Sequence, residues 1–547
     1  MNNYQKIAEL IFPGGKTVDE ILKKYPPRKL KQGQEVTRFA PSPTGYMHIG
    51  NFFPAFISYN LAKQSQGIFY LRFEDTDSKR EIKEAKEVIY EILERFGIFP
   101  DEFQTLDGVD VGQYGPYVQS QRAEIYRAFA KKLVADGRAF PCFCKKTEGK
   151  EDVLLARKSK FDEDDEKEYD PCRNLSFEEI KLHIDNGEKF AIRLKTQNDG
   201  SQRIKFFDLI KGEIEAKANS KDFVLLKNDG IPPYAFAHAI DDTLMGTTIV
   251  VRGEEYISST PMHIELFEAL GFKPTCYCHN PLIWKIDETG SKRKISKRKD
   301  PEADMRFYFS QGYPKEAVLE YLLNLINSGF EIWRKNNPEK DWKQYHFGIK
   351  DITTVAPVFD IVKLNDISKN IISQIRGEKL YLLWLEWAKE YDKELYQILN
   401  SEKEKFVKLC VMERDDSQKP RKDIYNLKMM KEYFSYAFEK PNLNNIIEIQ
   451  NFVDFIKAYL KSFKMPSSNE EWFAEIKKVA GENGFAVDNK LYKQNPEAFK
   501  GNIAKACLFA RQAITGKDNG PSLFYIIEAL GEKETLDRLK RAANLKI

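Results

Sequence analysis

Residues 35–73 constrain the fold more than any other part of the chain. A strand pattern, a loop with two prolines and Gly45, a helix pattern and a second strand pattern follow one another within this segment. A strand, a glycine-containing turn, a helix and a strand, in this order, open a parallel α/β sheet. The β-branched run at residues 247–251, which ends at Arg252, has the profile of a further buried parallel strand. The sequence therefore predicts an α/β fold.

Changes in composition divide the rest of the chain. With 547 residues, it is long enough for three to four domains of roughly 150 residues each. Residues around 130–225 form a block with a cysteine pair, an acidic run and returning strand patterns. In the last third, apolar residues recur at helical spacing, as in residues 503–514 and 523–530, and Gly516 and Gly531 follow as helix ends. We therefore expect a parallel sheet, interrupted by an α/β insertion and followed by an all-helical region.

Charge and cysteine content narrow the class of protein. Lys and Arg number 86 and Asp and Glu 83, so the net charge of +3 does not by itself indicate nucleic-acid binding, although residues 291–306 hold seven basic side chains. The longest uncharged run, residues 39–62, contains three prolines and several polar residues, which excludes a membrane span. The N-terminus has no signal-peptide pattern. Seven cysteines, a sparse and odd number, indicate a reducing compartment, and we expect a cytoplasmic protein without membrane contact.

The first motif that carries chemistry is the loop at residues 41–51, PSPTGYMHIGN, between a strand and a helix. Gly45 and Gly50 allow the backbone to approach a ligand closely, and the helix N-terminus supplies donors and a dipole suited to phosphate. His48 adds a side-chain donor at the same place. The alternative for His48 is a structural or surface histidine.

The second motif is the basic segment KISKR at residues 294–298. A basic loop can simply be a solvated surface segment. It can also be a mobile cationic clamp for a leaving pyrophosphate, because Lys and Arg stabilise the charge that develops on phosphoryl oxygens. Taken alone, the segment leaves both interpretations open.

Together, in this order and on this topology, the two motifs resemble the paired signatures of class I aminoacyl-tRNA synthetases. Further segments narrow the resemblance to the glutamyl-tRNA synthetases of the bacterial type, from residue 36 to the C-terminus. These segments are RFAPSPTG at 38–45, RFEDTD at 72–77, DD at 241–242, MG at 245–246, RGEE at 252–255 and STP at 259–261. The resemblance implies a Rossmann-type catalytic domain. Residues 501–545 resemble the anticodon-binding end of that family.

Several residues suit a dicarboxylic amino acid as substrate. Arg38 and Arg252 lie at strand ends and carry planar, permanently charged groups that fit a carboxylate. Glu74, after the neighbouring strand, suits an α-ammonium group, and the alternative is an Arg–Glu ion pair at the strand ends. The resemblance implies a glutamate pocket formed by Arg38, Ala40, Ser42, Glu74, Tyr234, His238 and Arg252.

The resemblance also implies where ATP binds. The ATP contacts are His48, Gly50, Glu255 and Lys297, and the catalytic residues are His48, Lys294 and Lys297. His238 stands where many relatives have Asn, so the chain departs from the family pattern there. The implied substrates are ATP, with Mg²⁺, L-glutamate and tRNA(Glu).

A metal site is the open question in the predicted insertion. Cys142, Cys144 and Cys172 resemble part of the zinc knuckle that some members of the family carry. A tetrahedral zinc site needs four ligands, and Tyr169 is the candidate for the fourth. The alternative is a set of inert or partly exposed thiols without metal.

These inferences give one predicted organisation, with six parts. They are an N-terminal extension (1–35), the first half of the catalytic domain (36–125), an acceptor-end-binding insertion (126–225), the second half of the catalytic domain (226–285), a stem-contact region (286–375) and a helical anticodon-binding domain (376–547). The predicted activity is ATP-dependent ligation of glutamate to tRNA(Glu) by a monomer. One alternative is an enzyme that also charges tRNA(Gln). The other is an inactive tRNA-binding module, which the presence of both signature motifs disfavours.

Overall fold

The computed structural model describes residues 2–43, 45–76, 84–144, 170–415, 417–444 and 446–545. The chain forms two compact units, one of Met1–Phe307 with Leu319–Asp360 and one of Tyr308–Val318 with Ile361–Ile547. Within the described ranges, no helix is both long enough and apolar enough to cross a lipid bilayer.

The strands all lie in the first unit of the described chain. In chain order they are β1 (Val36–Phe39), β2 (Ile68–Leu71), β3 (Phe103–Gln104), β4 (Asp110–Val111), β5 (Ala139–Cys142), β6 (Ala191–Leu194), β7 (Arg203–Asp208), β8 (Gly212–Lys217), β9 (Val224–Leu226), β10 (Ile249–Gly253), β11 (Cys276–Asn280), β12 (Trp284–Ile286) and β13 (Lys292–Lys294).

Helices occur throughout the chain. In order they are α1 (Asn3–Ile11), α2 (Val18–Lys24), α3 (Ile49–Gln64), α4 (Ala85–Phe96), α5 (Ala123–Ala135), α6 (Phe177–Asp185), α7 (Tyr234–Leu244), α8 (Thr260–Leu270), α9 (Met305–Ser310), α10 (Lys315–Ile326), α11 (Gly329–Asn336), α12 (Ile361–Gln374), α13 (Gly377–Tyr391), α14 (Lys393–Ser401), α15 (Lys403–Val411), α16 (Met430–Tyr433), α17 (Ile449–Ser462), α18 (Asn469–Glu482), α19 (Asn489–Gln494), α20 (Ile503–Thr515), α21 (Leu523–Leu530) and α22 (Glu532–Ala543).

A parallel sheet positions the candidate active site. β1 pairs with β2 and β10 with β11, both in parallel. The backbone N–H of Thr248 donates to the carbonyl oxygen of Val36 over 2.9 Å, which joins the two pairs beside each other. Arg38 lies near the carboxyl end of β1 and Arg252 near that of β10. Ligands of open α/β sheets bind at this edge, so the predicted α/β fold is confirmed and both arginines lie where a ligand is expected.

The predicted insertion at 126–225 does not fold as one piece. β5, β6 and β9 form a small antiparallel sheet. The hairpin of β7 and β8, which lies between β6 and β9 in the chain, instead joins the main sheet, because β7 pairs in parallel with β11 through Asp208 and Tyr277. The sequence pattern found these strands but could not show which sheet each one joins.

The first 35 residues, predicted as a polar extension, contribute to the core of the first unit. Asn2 and Thr17 begin α1 and α2 with capping boxes. Ile7 is 6% and Ile21 3% exposed, and both belong to the same apolar cluster as the buried face of α5. The charged residues of both helices cover the outer face, which explains the polar composition.

The second unit is helical in every described segment, as predicted. Trp384, fully buried, lies in its apolar core. α20 ends at Gly516, whose φ of 70° is the left-handed conformation that glycine adopts most easily. The unit includes α12 (Ile361–Gln374), so it begins before the predicted boundary at residue 376.

Candidate active site

The two signature motifs lie against each other in the first unit. His48 is the N-cap of α3. The ammonium group of Lys297 donates a hydrogen bond to the carbonyl oxygen of Tyr46, in the loop before that helix. Met305 donates its backbone N–H to the carbonyl of Met47 over 3.1 Å. The fold therefore brings the basic loop to the N-terminus of α3, as the prediction of a shared ATP site requires.

His48 is a neutral side chain with one free proton donor. Its Nδ1 accepts a hydrogen bond from the backbone N–H of Gly50 over 2.8 Å. A Cβ at position 50 would lie 3.0 Å from that nitrogen, so glycine fits best there. Burial, together with the charges of Lys297 and Lys294, lowers the pKa of His48 from 6.5 to about 4. At neutral pH the ring therefore carries its proton on Nε2, which can donate to a phosphate oxygen.

One buried side chain anchors the basic loop in the protein. Ile295 is 2% exposed, whereas Lys294 and Lys297 on either side are exposed. Asp300 fixes the loop, because it accepts the backbone N–H of Ser296 over 2.9 Å and a bidentate contact from Arg293 over 2.6 and 2.7 Å.

Glu255 lies next to this loop, on the surface. Its Oε1 is 3.5 Å from Nζ of Lys294. Both side chains are exposed, so the pair contributes little to stability. The contact nevertheless places Glu255 beside Lys294, one of the predicted catalytic residues.

Arg38 lies in a buried network of charges at the end of β1. Its Nε lies 3.2 Å from Oδ2 of Asp242, and its Nη1 donates to the carbonyl of Val251 over 3.3 Å. Arg72 donates to the other oxygen of Asp242 over 2.7 Å. Burial acts to raise the pKa of Asp242, but the charges of Arg38 and Arg72 outweigh it and hold that pKa well below its ordinary value. The charge of Arg38 is therefore compensated within the protein.

Glu74, which follows β2, is buried beside Arg72. Its Oε1 accepts a hydrogen bond from Nη2 of Arg72 over 3.0 Å. The Arg–Glu ion pair considered as an alternative is thus present, although with Arg72 as the partner. Burial raises the pKa of Glu74 from 4.5 to about 7, against the opposing charges of Arg72 and Arg38. A further cation nearby would favour the ionised form at neutral pH.

Arg252 differs from Arg38 in its partners. It is 5% exposed, and within the described parts of the chain no carboxylate lies within 4.0 Å of its guanidinium group. Four hydrogen bonds lead to uncharged acceptors, at distances of 2.9 to 3.3 Å. The acceptors are His279 Nε2, Tyr234 Oη, His263 Nδ1 and Thr260 Oγ1. A buried cation without an anionic partner is costly, so this arrangement favours an anionic ligand.

Tyr234 and His238 connect the two arginines. The hydroxyl of Tyr234 accepts from Arg252, and its ring stacks on His238 with 5.4 Å between ring centroids. Nδ1 of His238 lies 2.5 Å from Oδ2 of Asp242, the partner of Arg38. Burial lowers the pKa of His238 from 6.5 to about 4, so the ring is neutral. The structure thus places four of the predicted pocket residues in one chain of contacts.

The remaining pocket residues lie in the loop after β1. Ala40 is half-buried and Ser42 is exposed. Between them, the carbonyl of Pro41 accepts the backbone N–H of Glu74 over 3.0 Å, which holds this loop beside the end of β2. Five of the seven predicted pocket residues therefore lie at or just after strand ends, and Tyr234 and His238 on α7 contact this group through Arg252 and Asp242.

Three of the predicted zinc ligands lie together, with an aspartate that the sequence did not suggest. The sulfur atoms of Cys142, Cys144 and Cys172 and a carboxylate oxygen of Asp170 lie within 4.8 Å of one another. Sγ of Cys144 is 3.7 Å from Sγ of Cys172, close to the roughly 3.8 Å between two sulfurs of a tetrahedral zinc site. The geometry and donor set fit zinc. Tyr169 lies outside the described residues.

A second candidate site is a cavity of about 430 Å³ in the helical unit. Arg421, Arg511 and Lys517 line it, together with Tyr433 and Tyr436. In the described part of the chain, Nη1 of Arg511 and the hydroxyl of Tyr436 are buried without a hydrogen-bond partner. Cationic side chains and aromatic rings in one cavity suit a nucleotide. The sequence did not single out these residues, because they come from separate helices and loops.

Two known family models match separate parts of the chain. Residues 35–337, more than half of it, match the family model for "tRNA synthetases class I (E and Q), catalytic domain". Residues 427–543 match the model "Anticodon binding domain". The chain therefore belongs to the class I tRNA synthetases of the glutamate and glutamine type, as the resemblance implied.

Within this family, the chain is similar to glutamate–tRNA ligases, both among curated relatives and among solved structures. The chain is 42% identical to the glutamate–tRNA ligase of Clostridium perfringens (strain SM101 / Type A) over 551 residues, 98% of this chain and 99% of the relative. It is 41% identical to that of Acetivibrio thermocellus over 552 residues, 98% of this chain and 100% of the relative. The solved structure of a glutamate tRNA ligase from Elizabethkingia meningosepticum, in complex with its amino acid, shares the fold with a TM-score of 0.71. The two sequences are 24% identical, and the match covers 94% of this chain and 100% of that chain.

Proposed function

We propose that this protein is a glutamate–tRNA ligase. The observation that carries the proposal is the buried guanidinium group of Arg252, which has no carboxylate partner among the described residues and lies at the carboxyl end of the parallel sheet, in the same unit as both signature motifs. The relatives with this name, which match over 98% of the chain, support it. The substrates are L-glutamate, ATP and tRNA(Glu), and the protein acts as a monomer in the cytoplasm.

The first step joins glutamate to AMP. An oxygen of the α-carboxylate attacks the α-phosphorus of ATP, the bond to the β-phosphate breaks, and pyrophosphate leaves. His48 donates its Nε2–H to a phosphate oxygen, and the ammonium group of Lys297, with Lys294 next to it, stabilises the charge on the leaving group. Gly50 and Glu255 complete the ATP contacts. Mg²⁺, when bound with ATP, neutralises part of the phosphate charge.

The second step transfers glutamate to tRNA. A hydroxyl of the terminal ribose attacks the carbonyl carbon of glutamyl-adenylate, AMP leaves, and an ester bond forms. Positioning and charge stabilisation suffice for both steps, so no protein nucleophile is required.

Among the pocket residues, Arg252 binds the side-chain carboxylate of glutamate. Arg38 already has Asp242 as its partner, whereas Arg252 has only uncharged acceptors among the described residues. Tyr234, which accepts from Arg252, lies beside the same carboxylate. Glu74 binds the α-ammonium group, whose charge favours the ionised form of this buried side chain. Ala40, Ser42 and His238 shape the rest of the pocket.

The helical unit and the small sheet of β5, β6 and β9 bind tRNA in this proposal. We assign residues 126–225, apart from the β7–β8 hairpin, to the acceptor end, 286–375 to the stem and 376–547 to the anticodon. The cavity around Arg511 is proposed to hold a nucleotide of the anticodon loop. Zinc, held by Cys142, Cys144, Cys172 and either Asp170 or Tyr169, would tie the strand end of β5 to the segment before α6 and so stabilise this region.

The decisive experiment measures exchange between ATP and labelled pyrophosphate in the presence of tRNA, with glutamate and then glutamine as the amino acid. Glutamate-dependent exchange, followed by esterification of tRNA(Glu), supports the proposal. Absence of exchange with glutamate, or equal exchange with glutamine, contradicts it. A parallel charging assay with tRNA(Gln) decides between one and two tRNA substrates.

A further inference from the structure

The guanidinium group of Arg252 is held by two histidines. Nε donates to Nε2 of His279 over 2.9 Å, and Nη1 lies 3.0 Å from Nδ1 of His263. Both imidazole rings are buried, with exposed fractions of 0% and 1%. The ring of Tyr277 lies below the guanidinium group at 4.5 Å, a cation–π distance. The orientation of Arg252 is thus fixed mainly by neutral aromatic groups.

The contacts of His279 fix its tautomer. Its Nδ1 lies 2.7 Å from Oδ2 of Asp208, at the end of β7. Hydrogen bonding to His279 and to backbone N–H groups outweighs burial and keeps the pKa of Asp208 below its ordinary value, so the carboxylate can only accept. A guanidinium group can only donate. His279 therefore carries its proton on Nδ1, and its Nε2 is the bare acceptor for Arg252.

His263 also accepts a hydrogen bond from Arg252, but through Nδ1 instead of Nε2. Because Arg252 can only donate, Nδ1 of His263 accepts and the proton lies on Nε2. Burial and the charge of Arg252 hold the pKa of His263 well below its ordinary value, and burial also lowers that of His279. Both rings therefore stay neutral acceptors.

We infer that His263 and His279 are positioning residues that orient Arg252 for the substrate carboxylate without neutralising its charge. A carboxylate at either position would hold the guanidinium group equally well, but it would compete with the substrate. Neutral imidazoles satisfy the N–H groups and leave the positive charge for the ligand. The inference rests on the proposed function, in which Arg252 binds glutamate.

The test compares each histidine with a variant that keeps the acceptor and one that removes it. His279→Gln places Oε1 near the position of Nε2, and His263→Asn places Oδ1 near that of Nδ1. His279→Ala and His263→Ala remove the acceptor. We expect each Ala variant to raise KM for glutamate about ten-fold or more, on the scale of a lost hydrogen bond to a charged group. KM for ATP should change less than about two-fold, and the Gln and Asn variants should recover most of the glutamate affinity.

Two results would overturn the inference. One is an unchanged KM for glutamate in folded Ala variants. The other is a Gln or Asn variant as impaired as its Ala counterpart. Nitrogen NMR of the wild-type histidines, with signals assigned through the Gln and Asn variants, gives a readout without catalysis. A proton on Nδ1 of His279 and on Nε2 of His263 supports the inference, and the opposite tautomers overturn it even if glutamate proves not to be the substrate.

Discussion

Lys297 reaches back to Tyr46, 251 residues earlier in the chain, and donates a hydrogen bond to its carbonyl oxygen. A Cβ on Gly45 would lie 3.9 Å from the same Nζ atom. The basic loop therefore touches the glycine-containing loop directly, at the start of α3. In the proposed reaction, the phosphates of ATP lie at this contact. The ammonium group of Lys297 then binds the phosphates and no longer the carbonyl oxygen of Tyr46.

Lys297→Ala should therefore slow glutamate activation more than it weakens glutamate binding. We expect kcat of tRNA-dependent pyrophosphate exchange to fall by about 10²-fold or more, the scale of removing one preorganised donor. Lys299→Ala, at an exposed lysine directly after the basic segment, is the matched control. A raised KM for glutamate with an unchanged kcat would show that Lys297 does not act on the transition state.

The two pocket arginines should respond differently to substitution by leucine. Arg252→Leu should abolish the preference for glutamate over glutamine with little loss of stability, since no carboxylate of the described residues loses its partner. Arg38→Leu removes one partner of the buried Asp242 and should lower the free energy of unfolding by about 3 kcal/mol, the scale for a broken buried ion pair. Pyrophosphate exchange with both amino acids and chemical denaturation measure the two effects. If Arg252→Leu keeps full glutamate selectivity, the assignment of the side-chain carboxylate to Arg252 is wrong.

Purified protein should contain about one equivalent of zinc, as a closed four-ligand site predicts. Cys144→Ser should lose the metal, whereas Cys276→Ser, at an exposed cysteine outside the cluster, should keep it. Asp170→Asn distinguishes the fourth ligand, because zinc loss in this variant favours Asp170 and zinc retention favours Tyr169. Elemental analysis of tag-free protein measures all four proteins. A wild-type protein without zinc contradicts the metal site. In a separate aminoacylation assay, we expect Cys142→Ser to keep nearly full activity.

The free energy of unfolding should decrease at acidic pH because the protein buries histidines. Burial lowers the pKa of His238 from 6.5 to about 4, so the unfolded chain binds more protons than the folded protein between these values. The free energy of unfolding therefore decreases as the pH falls through this window, by about 2 kcal/mol for His238 between pH 6.5 and 5. Denaturation of wild type and His238→Asn at both pH values measures this. The variant should lose less stability than wild type, and His346→Asn, at an exposed histidine, should behave like wild type.

Arg511→Gln should weaken tRNA binding. Arg511 lines the basic cavity of the helical unit, and the stacking of a base there is worth about 1–3 kcal/mol. We expect KM for tRNA to rise by roughly ten-fold or more, with KM for glutamate and ATP unchanged. Lys540→Ala, an exposed cation on α22, is the control. Equal tRNA affinity in wild type and Arg511→Gln would remove the cavity from the tRNA interface.

Local patterns predicted the elements well. The helix ends at Gly516 and Gly531 were readable, because a helix end at glycine depends on a few adjacent residues. The strand ending at Arg252 was equally clear from its β-branched run. The fold class and the family were therefore predictable, and both predictions are confirmed.

Contacts between distant segments were not predictable in the same way. Nothing in the sequence showed that β11 would lie next to β10 and bring His279 to Arg252. Asp170 stands two residues before Cys172, but only the folded chain shows that its carboxylate lies beside the sulfur atom of Cys142. Long-range pairing of this kind depends on register and packing that single-sequence patterns do not encode. The assignments of individual site residues stay predictions.

The two N-terminal helices have a practical consequence for anyone who shortens this protein. The family match begins at residue 35, but the apolar faces of α1 and α2 complete the core against α5. Arg28 also makes a bidentate contact with Glu102 over 2.8 and 2.6 Å and donates to the carbonyl of Met245 over 2.6 Å. Trimming the chain to the family boundary would expose the apolar face of α5 and leave the half-buried Glu102 without its cation. The evolutionary domain and the folding domain therefore start at different residues.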